Sequence, residues 1–137
     1  MATLTAVKIT ETGITSSLAT CQAGGDDFTN TGIEFVRIQN THASATYSIK
    51  VQAQTTAIKN PQYGNVTKSD VYKTIAGGSE NSIIIGPFKQ AAYNDSNSKV
   101  KIFYKTGTGA NATTWNALST TLAGAHLLKI EILYLDN

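Results

Sequence analysis

Cysteine is nearly missing: Cys21 stands alone in 137 residues, so no disulfide can form within the chain and stability has to come from a packed core. Arginine is as scarce. Arg37 is the single arginine among 11 basic residues set against 9 acidic ones, a formal net charge of +2. A phosphate-binding face read by bidentate guanidinium groups needs more, so no nucleic-acid partner is expected. Long apolar runs are absent too. The richest stretch, Leu127 to Leu135, is broken by Lys129 and Glu131 and falls far short of the ~20 residues that cross a bilayer, so no membrane partner is expected. The first residues, Met-Ala-Thr-Leu-Thr-Ala-Val-Lys, show no basic segment followed by an apolar run, so no secretory leader is expected. Charge is low at 15%, yet hydrophobic residues make up 41%, enough for a core and unlike the signature of disorder. The length suits one domain, residues 1–137.

What is abundant is short, neutral and polar: 20 Thr, 10 Ser and 10 Asn. The hydrophobic pattern among them has the period of strands. Tyr47, Ile49, Val51 and Ala53 alternate with Ser48, Lys50, Gln52 and Gln54, and Leu128, Ile130, Ile132 and Tyr134 alternate with Lys129, Glu131 and Leu133. Thr3 to Thr10, Ile33 to Asn40, Val71 to Ile75, Ser82 to Phe88 and Lys99 to Lys105 are short, rich in β-branched and aromatic residues, and bounded by turn formers. Turns are expected at Gly24-Gly25-Asp26-Asp27, at 40–44, at Ala76-Gly77-Gly78-Ser79 and at Asn94-Asp95-Ser96-Asn97. The expected fold is all-β with little or no helix: an antiparallel β-sandwich of seven to eight strands, Greek-key, jelly-roll or immunoglobulin-like. Residues 1–22 would serve as an N-terminal arm or an edge strand. The polar connection 56–69 would project from one end, and a single helical turn fits 115–122.

Groups able to do chemistry are few. His42 and His126 lie in turn-like contexts with no carboxylate at fixed spacing, Cys21 lacks the surroundings of a thiol nucleophile, and no phosphate-cradling loop or nucleophile elbow occurs. Asp26 and Asp27 beside two glycines lack the spaced ladder and closing Glu of a calcium loop. No catalytic residue, metal ligand or cofactor is therefore assigned. Sequons at Asn65, Asn94 and Asn111 are what a chain rich in Asn, Ser and Thr yields by chance. Two surface features remain. Trp115, the lone tryptophan, sits in a polar segment, where core packing is the first expectation and an interface anchor or sugar platform the second. Leu4 and Val7 in the N-terminal segment would close an edge or pair with a neighbouring subunit.

The run from Ala23 to Asn40 has the form G-D-x-F-x-N-x-G followed by a strand ending in Asn. It continues with the 48–51 strand, then Thr74-Ile75-Ala76-Gly77-Gly78, then Ile85-Gly86-Pro87-Phe88 and Tyr93-Asn94. Over roughly Ala23 to Leu135 this combination resembles a family of small β-sandwich proteins encoded in the head-gene region of tailed bacteriophages. The motif residues Asn30, Gly32, Asn40, Gly77, Gly86, Pro87 and Phe88 suit turns, a strand end and a core cap, which are structural tasks. The resemblance implies a non-enzymatic virion protein, a decoration or cement protein. Such a protein would be made in the host bacterial cytoplasm, bind the outer surface of the major capsid protein lattice, and act as a homo-oligomer, for which a trimer is the expectation. The alternatives are a glycan-binding or host-adhesion module, prompted by Trp115 beside Asn111 and Asn116, and a tail or head-completion component. The 56–69 connection and the segment 107–123 stand out from the family pattern as insertions.

Overall fold

The alternating run from Tyr47 becomes a central strand with neighbours on both sides, and every other candidate strand finds its place in one of two sheets around it. A computed structural model describes residues 1–55, 57–78, 81–108, 115 and 128–135. The strands are β1 (Ala2–Leu4), β2 (Ala6–Ile9), β3 (Ala19–Thr20), β4 (Asp26–Thr29), β5 (Glu34–Asn40), β6 (Tyr47–Val51), β7 (Ala57–Asn60), β8 (Gly64–Thr67), β9 (Val71–Ile75), β10 (Asn81–Ile85), β11 (Lys99–Thr106) and β12 (Leu128–Leu135). One short helix, α1 (Gln90–Tyr93), precedes β11. The first sheet has the order β1-β4-β11-β6-β9, and the second β10-β5-β12-β2 with β3 also on β12. Among the seven strands β4, β5, β6, β9, β10, β11 and β12, only β6 and β9 follow each other within one sheet. Every other connection crosses to the opposite sheet. That is the winding of a jelly roll, and it separates the fold from the immunoglobulin-like arrangement.

The sheets are mixed. β1 runs parallel to β4 and β2 parallel to β12, while the remaining sheet pairs are antiparallel. The Thr3 to Thr10 segment, expected as one strand, divides at Thr5 and joins one edge of each sheet, covering backbone groups that would otherwise be open to pairing. The count of twelve also includes β3, β4, β7 and β8, which at two to four residues are too short to display a period. β7 and β8 form a separate two-stranded ribbon inside the 56–69 connection. Of the helical turn expected over 115–122, all but Trp115 lies outside the described residues.

The core lies between the sheets. Phe28, Val36, Ile38, Tyr47, Ile49, Val51, Val100, Ile102, Tyr104, Leu128, Ile130 and Ile132 are fully buried, each worth about 1.5–3 kcal/mol for the aliphatic and Phe side chains. Alternation then sends Phe35, Arg37, Gln39, Glu131 and Leu133 to the outer face of the second sheet. Lys50, Lys101, Phe103 and Lys105 go to the outer face of the first.

Candidate functional site

The motif residues meet at two junctions. Asn30, which follows β4 and is buried, donates from Nδ2 to the Phe88 carbonyl at 3.0 Å and to Asn94 Oδ1 at 2.6 Å. Its Oδ1 accepts from the Gly32 N–H at 3.1 Å, and its carbonyl accepts from Asn94 Nδ2 and Gln90 Nε2. Phe88 is buried between Phe28 and Tyr93, with ring centroids 6.0 and 5.5 Å away. Pro87 is exposed just past β10, and a side chain at Gly86 would press on Phe35 Cα.

The other junction gathers on Asn40, the fully buried last residue of β5. Its Nδ2 donates to the carbonyls of Ala45 at 2.8 Å and Ile75 at 3.2 Å, and its Oδ1 accepts from His42 N–H at 3.0 Å. Gly77 lies so close to the Ser44–Ala45 backbone that an added Cβ would sit 2.7 Å from Ala45 N. His42 Nδ1 accepts from the N–H groups of Ser44 and Ala45, so this histidine holds the turn. These asparagines bind the chain to itself, in the way buried amides require.

The titratable groups are similarly engaged. Burial pushes the Cys21 thiol far up, away from the thiolate a nucleophile needs. Beside it Asp26 is buried, with Oδ2 accepting from Tyr104 Oη at 2.9 Å and Gln22 N–H at 3.1 Å while Oδ1 has no hydrogen-bond partner among the described residues, and burial raises its carboxyl. Asp27, its neighbour in the Gly24–Asp27 turn, points to the opposite face and pairs with Lys99 at 3.0 Å. Among the described residues no group of three or more His, Cys, Asp or Glu is arranged for a metal. Arg37 is committed to Glu131 at 2.8 Å, in a pair that also takes in Ser16. A cleft of about 450 Å³ opens where β1 passes into β2, lined by Thr3, Leu4, Thr29, Ile33, Glu34 and Tyr134 among others. Burial works to raise Glu34, but bonds from Thr31 N–H and Oγ1, both 2.7 Å, and from Ile33 N–H outweigh it and hold the carboxylate below its usual range.

What is left are the two outer faces. On the second sheet Leu133 stands opposite Phe35 on one side and Val7 on the other, Leu135 is opposite Ile9, and Ile84 is opposite Arg37. Val7, Ile84 and Leu135 are exposed there at 39, 66 and 55%, with Ile33 at 44% just ahead of β5 on the same parity. Leu4 faces the other way and packs against the core, so of the two N-terminal candidates only Val7 is presented outward. On the first sheet Trp115 does not enter the core. It lies half-buried over the outer face, its ring centroid 5.8 Å from that of Tyr72 and 5.2 Å from both Lys50 Nζ and Lys105 Nζ.

Lys50 was legible as an outward residue from the alternation around it; Tyr72 and Lys105 were not singled out, because only cross-strand register brings them beside it. The uninterrupted Ile83-Ile84-Ile85 run hid which of the three faces solvent. His126, Asn111 and Asn116 lie outside the described residues. Comparison of the chain with family models, curated proteins and solved structures finds no match.

Proposed function

We propose that the chain is a non-enzymatic structural protein of a tailed-phage virion, one that decorates the capsid by packing the outer face of its β10-β5-β12-β2 sheet onto the major capsid protein lattice. The observation that carries this reading is the gathering of Val7, Ile33, Ile84 and Leu135, all exposed, on that one face. Exposed apolar side chains gathered on one face mark interaction surfaces. A standard interface covers about 800 Å² per partner, and a homo-oligomer touching several capsid subunits gains further through effective concentration. The resemblance of the Ala23–Leu135 motifs to head-region phage proteins supports the same reading, and jelly rolls recur in capsid domains, although fold alone does not assign a task.

Co-sedimentation with expanded, empty heads of the phage that encodes the chain tests it. The wild type is expected to sediment at a stoichiometry comparable to the major capsid protein, and the double variant Ile84→Lys with Leu135→Lys to remain in the supernatant while still folded. No sedimentation of the wild type at any salt concentration overturns the proposal. A stoichiometry of a handful per particle instead identifies a tail or head-completion component.

A further inference from the structure

Lysines on the outer face of the β1-β4-β11-β6-β9 sheet fall into two classes. Lys99 is 3.0 Å from Asp27 Oδ1 and Lys101 is 3.3 Å from Asp95 Oδ2, each neutralised by a carboxylate. Lys50 and Lys105 have no carboxylate partner among the described residues. Lys105 is only 6% exposed, and among the described residues its ammonium has one long hydrogen bond, to the Thr108 carbonyl at 3.3 Å. A buried cation with no carboxylate beside it favours the arrival of an anion.

The two ammonium groups also share one aromatic ring. Each lies 5.2 Å from the Trp115 ring centroid, so their separation is at most twice that distance. Lys50 is in addition 5.1 Å from the Phe103 ring, and Tyr72, its cross-strand partner, is 40% exposed with its ring tilted 39° to that of Trp115. Aromatic rings hold these lysines in place by cation–π attraction, yet they carry no net charge and leave both positive charges uncancelled. A surface combining flat apolar rings with a pair of uncancelled cations matches a ligand that has apolar C–H faces and regularly spaced carboxylates.

We infer that this face binds an acidic saccharide, a pyranose chain bearing uronate carboxylates, with sugar rings against Tyr72 and Trp115 and carboxylates taken by Lys50 and Lys105. The site is on the opposite side of the sandwich from the proposed capsid-facing surface and stands independently of that proposal. The chain's single arginine and net charge of +2 argue against a nucleic acid as the occupant.

Trp115 is the only tryptophan, so its emission reports on this site alone. The full chain is titrated with tetragalacturonate, with its fully methyl-esterified form, and with hexaglutamate, following fluorescence and then calorimetry. The expected result is saturable binding of tetragalacturonate that weakens about tenfold or more for the methyl ester and for Lys50→Gln and Lys105→Gln, as loss of a charge-assisted contact predicts. Tyr72→Ala, at an exposed position, should weaken binding while leaving the far-UV circular dichroism unchanged. No saturable response, equal binding of the ester, unaltered affinity in the folded lysine variants, or preferential binding of hexaglutamate each overturns the inference.

Discussion

Replacing Asn40 by alanine removes three hydrogen bonds at a point where nothing else can make them. Asn40 is fully buried, and its amide serves the Ala45 and Ile75 carbonyls and the His42 N–H at 2.8, 3.2 and 3.0 Å. Each bond contributes about 0.5–1.5 kcal/mol net, and groups left unsatisfied away from water forfeit more, so the substitution should cost about 3 kcal/mol. Against a total stability of about 5–15 kcal/mol that is a large fraction, and for a domain of this size it corresponds to a fall in Tm of roughly 10 °C. The matched control is Asn81→Ala. Asn81 lies opposite Asn40 in the β10–β5 register and donates to the Ala76 and Gly77 carbonyls of the same turn at 3.0 and 3.4 Å, but it is exposed. Water can replace it, and its loss should cost about 0.5 kcal/mol. Asn40→Asp sharpens the test: the carboxylate still accepts from His42 but sets lone pairs against two carbonyls, so at neutral pH it should destabilise more than alanine does. Urea unfolding followed by far-UV circular dichroism measures all three. Equal losses at positions 40 and 81, or a loss below about 1 kcal/mol for Asn40→Ala, would refute the argument that the buried amide organises this end of the sandwich.

Asp26→Asn tests the buried carboxyl. Because burial raises the folded pKa above its ordinary value, folded protein holds this proton more tightly than unfolded protein, and stability is lost as pH rises through the folded value. The stability difference, variant minus wild type, should therefore grow in the variant's favour from acidic to neutral pH; a flat or falling difference in thermal melts across that interval contradicts the assignment. Gly77→Ala places a methyl group against the Ser44–Ala45 backbone and should cost about 2–3 kcal/mol by overpacking, read as a lower urea midpoint. An unchanged midpoint would show that the turn can move aside.

Much of the fold is legible in the sequence because its long strands carry a clean period of two. The segments expected at 33–40, 71–75 and 99–105 appear as Glu34–Asn40, Val71–Ile75 and Lys99–Thr106, within a residue at each end. The eight-residue alternation from Tyr47 was less reliable at its end: the strand stops at Val51, where Gln54 and Thr55 turn their N–H groups to the Ala92 carbonyl. Helix α1 has no signature in the sequence because four residues cannot display a stripe, and it exists through burial of Ala92 and Tyr93.

The candidate surfaces were legible only in part. Val7 and Trp115 were singled out as apolar or aromatic residues in polar company, and both prove to lie on outer faces. Leu4 has the same sequence appearance as Val7, yet the division of the N-terminal segment at Thr5 turns it against the core. Composition and periodicity by themselves determined that this chain is a β-sandwich without disulfides, since those properties depend on residue types and on neighbours two positions apart. Which strands lie side by side, and so which residues share a face, was decided by tertiary structure alone. Lys50 and Lys105 are joined through Trp115, and Ile84, Val7 and Leu135 through β5 and β12. Those contacts join positions far apart in the chain, and local pattern holds no record of that pairing.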